Sequence, residues 1–272
     1  MKKYFCISDV HGHYQEMIDS LITAGYDENN NNHALVVLGD LFDRGRDSKK
    51  VYKYLRKLSD EGKAIILKGN HELMFIDFLK GEDAWFNFNH NGMRMTFDDF
   101  LDRTASFESY IVIDNSLNLE NVEEHDFEYL WNAYQKSTRE YIFDEFPDIL
   151  DWLDSRPDYF ETKNYIFTHG SIDTDVEDWH KPEIKRYTFS GWQACHWDDG
   201  SFYSKEIYNT DKTIVVGHFS SDNIREKYQI DMDNYSDNKI LIREDGRVVY
   251  IDACTPRTKR VNVFIVEDDE NE

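Results

Sequence analysis

The sequence predicts an α/β fold built on a largely parallel sheet, and three observations carry that reading. Between Tyr4 and Glu72 a short apolar run, a polar loop and a helically spaced apolar pattern follow one another repeatedly. Such succession requires crossover connections, which lay each strand parallel to the last and cover the sheet with helices. The same strand texture returns at Tyr165–Phe167 and at Thr213–Val216. Each of these runs ends in Asp, Asn, His or Gly, and ligands of open parallel sheets bind at the carboxyl ends of the strands.

The elements follow in order. Tyr4-Phe5-Cys6-Ile7 reads as a buried strand, and Ser8 to His13 as the loop after it. Met17, Ile18, Leu21 and Ile22 recur at helical spacing, so a helix returns across the sheet. Residues 25–33 form an Asn-rich surface loop. The strand Ala34–Leu38 spills into Gly39-Asp40-Leu41-Phe42-Asp43-Arg44-Gly45, and Val51, Tyr54, Leu55 and Leu58 mark the next helix. The third strand, Ala64–Leu67, runs into Lys68-Gly69-Asn70-His71-Glu72.

From about 81 to 160 the texture changes to nineteen acidic residues against five basic ones, interleaved with aromatics such as Trp85, Phe97, Phe100, Trp131 and Tyr134. Helical spacing over 96–103 and 126–153 predicts a mainly helical insertion whose aromatics form a small core of their own. Further on, 239–242 and 248–251 flank Asp245-Gly246, a hairpin signal. Val261–Val266 reads as a last strand and Glu267–Glu272 as a solvated acidic tail. With 4 Pro, 13 Gly and nothing resembling a linker, the expectation is one domain over 1–272 carrying the insertion.

Composition narrows the function classes. A formal charge of −23 repels polyanions at long range and disfavours a broad nucleic-acid surface. The start of the chain lacks the apolar core of a secretory signal, and no run approaches the length of a membrane span, so the expectation is a cytoplasmic protein with no membrane partner. Cys6, Cys195 and Cys254 are scattered, which argues against a disulfide framework and against a cysteine zinc site.

The punctuation of the strand ends carries the chemistry. They are Asp9-Val10-His11, Gly39-Asp40, Gly69-Asn70-His71, His169-Gly170 and Gly217-His218. One His after a strand is ordinarily a satisfied loop residue; five polar ends at one sheet edge are more than turns require. Carboxylate, imidazole and amide donors suit Mn²⁺, Fe²⁺ or Zn²⁺. Asp9, His11 and Asp40 can hold one ion and Asp40, Asn70, His169 and His218 a second, with Asp40 as the bridge. Two such cations about 3.5–4 Å apart can clamp both the attacking and the leaving oxygen of an in-line displacement.

Asp-x-His, Gly-Asp-x-x-Asp-Arg-Gly and Gly-Asn-His-Glu, in that order and followed by two isolated His-bearing strand ends, resemble the calcineurin-like metallophosphoesterases. The Asp-Arg-Gly of the second motif is similar to the phosphoprotein phosphatase (PPP) branch, above all its compact bacterial and phage members. The resemblance implies a central β-sandwich flanked by helices (αββα) and two divalent ions, with Mn²⁺ placed ahead of Fe²⁺ or Zn²⁺. It implies hydrolysis of phosphomonoesters by a hydroxide bridging those ions. Asp9, His11, Asp40, Asn70, His169 and His218 become metal ligands; His71 becomes the general acid, oriented by Asp43; Arg44 and Asn70 contact the phosphate.

The pattern departs from the family between the two late histidines. A second phosphate-binding arginine is expected there, and this chain has Ala194-Cys195-His196-Trp197-Asp198-Asp199, with Arg186 and Lys205 out of register; His196 could substitute, although a loop histidine is the safer reading. Tyr250-Ile251-Asp252 matches the family's late tyrosine strand weakly. The first functional expectation is a phosphoserine/phosphothreonine protein phosphatase, or at least an enzyme taking small phosphoesters. The alternative is a nucleotide pyrophosphohydrolase of the symmetrical diadenosine tetraphosphate kind. A catalytically silent phosphate-binding module would have lost ligands or His71, and none is lost.

Overall fold

The computed structural model describes residues 1–102, 124–176, 178–179, 185–186, 189–190, 195–197, 204–235 and 237–269. Its first sheet has the order β11-β1-β2-β3, formed by Phe264–Asp268, Lys2–Ile7, His33–Val37 and Ala64–Ile66. The second has the order β4-β5-β8-β10-β9, formed by Tyr159–Glu161, Tyr165–Thr168, Thr213–Val216, Val248–Tyr250 and Leu241–Ile242. A two-stranded ribbon, β6 (Lys185–Arg186) with β7 (Phe189–Ser190), completes the strands among the described residues. β1, β2 and β3 are mutually parallel, as are β5, β8 and β10, while the edge strands β11, β4 and β9 run antiparallel.

The two-residue period of the strands produces the layers. Tyr4, Cys6, Ala34, Val36 and Leu38 face the second sheet and pack with Phe167, Val215, Val249 and Ile251. The alternate residues Phe5, Ile7, Leu35 and Val37 face helices α1 (Tyr14–Thr23), α2 (Ser48–Asp60) and α3 (Asn70–Lys80). On the far side Ile166, Ile214, Val216 and Tyr250 pack on Ile224 of the helix Ser221–Tyr228. The result is the expected αββα sandwich, with the carboxyl ends of both parallel sets at one edge.

Three readings of the sequence need correction. The insertion does not build a core of its own: α4 (Met93–Phe100), α5 (Glu124–Glu145) and α6 (Ile149–Asp154) contribute Phe97, Phe100, Trp131, Tyr134 and Trp152 to the same cluster as Phe42, Tyr52 and Phe75. The helix expected over 126–153 breaks into α5 and α6 at Pro147, which supplies no N–H and biases Phe146 away from helical geometry. The last strand starts at Phe264, and Val261 is buried among the helices instead. That strand takes in Glu267 and Asp268 of the supposed tail; Asp268 is buried and accepts from Asn164 N and Nδ2, both at 2.7 Å. The hairpin stands as read, with Val249 opposite Ile242 and Tyr250 opposite Leu241. No described helix is long and apolar enough to cross a membrane. All three cysteines are free.

Candidate metal centre

Asp40 lies where the two sheets' carboxyl edges meet, and its two oxygens face different partners. Oδ2 is 3.6 Å from His11 Nε2 and 3.9 Å from His71 Nε2, whereas Oδ1 is 3.3 Å from His169 Nε2. Ligand atoms of His11, Asp40 and His71 therefore fall within 4.8 Å of one another, and so do those of Asp40, His169 and His218. Asp9 closes the first group less tightly, its Oδ1 3.9 Å from His11 Nε2 and its Oδ2 accepting from the His218 backbone N–H at 3.0 Å. Asp9, His11, Asp40, His71, His169 and His218 are thus brought to one edge.

The donor chemistry fits a cation pair. His169 Nδ1–H donates to the Leu38 carbonyl at 2.6 Å, which leaves Nε2 as a bare lone pair. That lone pair faces Asn70 Oδ1 at 3.0 Å, His218 Nδ1 at 3.2 Å and Asp40 Oδ1 at 3.3 Å. With no proton among them these four atoms are all acceptors, an arrangement that a cation satisfies. His11 repeats the arrangement: Nδ1–H donates to Phe42 O at 2.9 Å and Nε2 faces inward. Burial holds the pKa of His169 and of His218 down at about 3, helped at His218 by the nearby His169, and it lowers His11 as well. Neutral imidazoles are the form that binds metal. Burial also pushes the Asp40 carboxyl well above the usual range, and a bound cation would favour its ionised form.

The local backbone is strained to aim these groups. Asp9, His11, Asp40, Asp43, Arg44 and His218 all have φ between 47° and 72°. Asp tolerates the left-handed region, but His and Arg there cost about 1 kcal/mol or more each, so other contacts must hold them. One such contact is Glu72, a residue to which the sequence reading gave no role. Its buried carboxylate accepts from the N–H groups of Asp40 (2.7 Å), Leu41 (2.8 Å) and Gly69 (2.8 Å). The signal available was its place at the third residue of α3 behind Gly69, the capping-box position. Glu72→Ala leaves three buried N–H groups unpaired and is expected to cost at least about 3 kcal/mol, seen as a lower urea midpoint at constant slope. An unchanged midpoint would refute this role. Gly69 has no such freedom either, since a Cβ there would lie 2.2 Å from Asp40 Oδ1.

His71 sits between two charged neighbours. Nδ1–H donates to Asp43 Oδ2 at 2.6 Å, and Arg44 Nη2 donates to Nε2 at 3.1 Å. Burial pulls its pKa down, but the Asp40 charge and the Asp43 hydrogen bond overcome it, and the net shift is upward. Arg44 turns inward and also donates from Nη1 to His11 Nε2 at 2.6 Å. The structure adds Thr96, which no sequence signal marked: its hydroxyl donates to Asp43 Oδ1 at 2.6 Å.

Beyond this cluster the match thins. His196 is buried and its Nε2 pairs with Asp158 at 3.0 Å; Asp158 also meets Lys68 at 3.3 Å. Trp197 lies edge-on to His218 with ring centres 6.4 Å apart. Ala194, Asp198 and Asp199 lie outside the described residues, as do the side chains of β6, including Arg186. Tyr250 is packed behind the second sheet, away from the cluster. Asp252, at the end of that strand, is close enough that burial, and then the charge of Asp9, hold its carboxyl up.

The family description of calcineurin-like phosphoesterases matches residues 2–251. The chain belongs to the calcineurin-like phosphoesterase family. Members of this family work with a dinuclear metal centre. A symmetrical bis(5'-nucleosyl)-tetraphosphatase of Buchnera aphidicola is 36% identical over 108 residues, 40% of this chain and 35% of that protein. The asymmetrical bis(5'-nucleosyl)-tetraphosphatase PrpE of Bacillus velezensis is 36% identical over 84 residues, 29% of this chain and 34% of that protein. A zinc-dependent endopolyphosphatase of Saccharomyces cerevisiae is 37% identical over 73 residues, 27% of this chain and 22% of that protein. The matched segment spans about a third or less of these relatives. Among solved structures, a serine/threonine phosphatase of Saccharomyces cerevisiae superposes with a TM-score of 0.51 at 11% identity, over 100% of this chain and 81% of that one. A mutant of a cold-active protein tyrosine phosphatase gives 0.51 at 18% identity, over 98% and 76%. These two likenesses concern the fold.

Proposed function

We propose that this metallophosphoesterase removes phosphate from phosphoserine and phosphothreonine in proteins, and that it does so with the residues gathered around Asp40. The observation that carries the reading is the pairing of a lone-pair cluster with an oriented imidazole: Asp40 shared between two donor groups, and His71 held by Asp43 at 2.6 Å beside it. Asp9, His11 and Asp40 would hold one divalent ion, and Asp40, Asn70, His169 and His218 the other. When bound, such a pair supplies a nucleophilic oxygen at neutral pH and neutralises phosphoryl charge. Mn²⁺ suits the donor set, as do Fe²⁺ and Zn²⁺.

The chain's own groups do the rest. In its protonated form, with Arg44 turned from Nε2 to the phosphate, His71 gives its Nε2 proton to the departing serine or threonine oxygen. Asp43 fixes the ring and the tautomer. Arg44, already within reach of both His11 and His71, grips the phosphate with its guanidinium fork, and Asn70 adds an amide contact. In this reading the chain is one domain with the helical insertion at its side. The insertion's acidity favours phosphosites with basic flanks.

Arg44→Ala is expected to raise the inhibition constant for inorganic phosphate by about tenfold or more, the worth of a lost charged bidentate contact, while thermal stability stays close to wild type. A phosphate constant unchanged in that variant removes the clamp from the mechanism.

A second reading, hydrolysis of symmetrical dinucleoside tetraphosphates, is favoured by the names of the curated relatives. Against it stands the charge of −23, which repels a tetra-anionic substrate. The deciding experiment assays Mn²⁺-reconstituted protein on a phosphopeptide panel and on diadenosine tetraphosphate side by side. Higher kcat/KM on the dinucleotide would displace the protein-phosphatase reading.

A further inference from the structure

We infer that the helical insertion positions the general acid, with Thr96 of α4 as the positioning residue; the inference rests on the role given to His71 above. The chain of contacts is continuous and buried. His71 Nδ1–H donates to Asp43 Oδ2 at 2.6 Å, and Asp43 Oδ1 accepts from the Thr96 hydroxyl at 2.6 Å. The Asp43 backbone N–H donates back to Thr96 Oγ1 at 2.9 Å. Ser48 Oγ, at 3.3 Å from Thr96 Oγ1, fills the hydroxyl's remaining position. Thr96 and Asp43 are 0% exposed and His71 1%, so water cannot replace any of these partners.

A second contact comes from the same element. The Arg44 N–H donates to the carbonyl of Gly92, the residue before α4, at 3.2 Å. Gly92 has φ 87°, and a Cβ there would lie 2.7 Å from Arg44 N. Asp43 and Arg44 have φ 72° and 65°, a left-handed pair that a tight turn does not sustain unaided. Residues 92 and 96 of the insertion therefore grip the backbone of both residues, and Thr96 also fixes the carboxylate rotamer. An Asp43 with a free Oδ1 could rotate, and His71 would lose the direction of its proton.

The consequence is selective for leaving groups. An alkoxide needs the proton and a dinitrophenolate does not. Thr96→Val, which keeps shape and deletes the hydroxyl, should lower kcat on a phosphoserine peptide by about tenfold or more, the worth of a hydrogen bond to a charged group. On 2,4-dinitrophenyl phosphate it should change kcat less than about twofold, and Thr96→Ser should restore wild-type behaviour on both. Thr96→Ala gives the same comparison should the valine variant not fold. A metal-independent readout accompanies it: in metal-free protein the downfield proton resonance of His71 Nδ1–H should shift or broaden in Thr96→Val and hold its place in Thr96→Ser.

Equal losses on both substrates, or an unmoved resonance, would overturn the inference. His71→Asn measured on the same two substrates separates it from its premise. If His71→Asn is also indifferent to the leaving group, the general-acid role itself is wrong. If His71→Asn discriminates and Thr96→Val does not, the insertion is not the positioning element.

Discussion

Asp40→Asn is expected to abolish hydrolysis of an aryl phosphate in Mn²⁺ buffer and to lower the metal content of the purified protein, while leaving the fold in place. The substitution is gentle on the backbone. Asn tolerates the φ of 56° at this position, and its Oδ1 can still accept from the His71 N–H, now at 3.1 Å from the carboxylate. What disappears is the charge that two donor groups share. The metal-free variant should melt at or above the wild-type temperature. Burial holds the folded-state pKa of Asp40 above its unfolded value, so in wild type its contribution is full at acid pH and is lost as pH rises through the folded value. Above its unfolded value the metal-free wild type therefore carries the cost of a carboxyl buried beside Asp9 and Glu72, and Asn removes it. Addition of Mn²⁺ should then raise the melting temperature of wild type and leave the variant nearly unmoved. Metal analysis, calorimetric melting with and without Mn²⁺, and turnover form one test. Wild-type-like turnover, or an equal Mn²⁺ shift in both proteins, would remove Asp40 from the bridge.

The strand ends were legible because they break a rule visible in one dimension. An apolar run followed at once by Asp, Asn or His cannot be continued core, and repetition at one sheet edge makes coincidence a poor account. Parallel topology then does what the sequence cannot display, bringing His169 within 2.6 Å of the Leu38 carbonyl although the two are far apart in the chain. Supports were harder to read. Glu72 was visible only as part of a motif, and Thr96 is a threonine in a helix, a residue type that ordinarily means nothing. The insertion's aromatics were misread because periodicity tells which face of a helix is apolar but not what it packs against. The final strand slipped because pairing, not hydropathy, sets its limits. β1 ends at Ile7, so Phe264 opposite Cys6 is near the last ladder position, while Glu267 and Asp268 stand opposite Lys3 and Lys2, with Lys3 Nζ 3.9 Å from Glu267 Oε1.

Removal of the imidazole tests the other half of the mechanism. His71→Asn is expected to lower kcat on a phosphoserine peptide by about 10²–10⁴, the usual worth of a positioned general acid. Metal content decides what the residue does, because distance alone groups His71 with His11 and Asp40 as readily as with Asp43. A general acid can be lost without losing an ion; a ligand cannot. Unchanged Mn²⁺ stoichiometry with collapsed turnover supports proton donation, and loss of an ion would make His71 a ligand in place of Asp9. The pH profile carries an independent sign. Burial lowers the His71 pKa, and the Asp40 charge together with the Asp43 hydrogen bond raises it further than burial lowers it. A general acid must carry its proton, so activity should fall on the alkaline side as that proton is lost. Asp43→Asn removes one of the two raising influences and keeps a group of the same shape against Nδ1. The alkaline limb should move to lower pH, with the acid limb in place. A limb that stays fixed, or moves upward, would mean that the proton on His71 does not govern the rate.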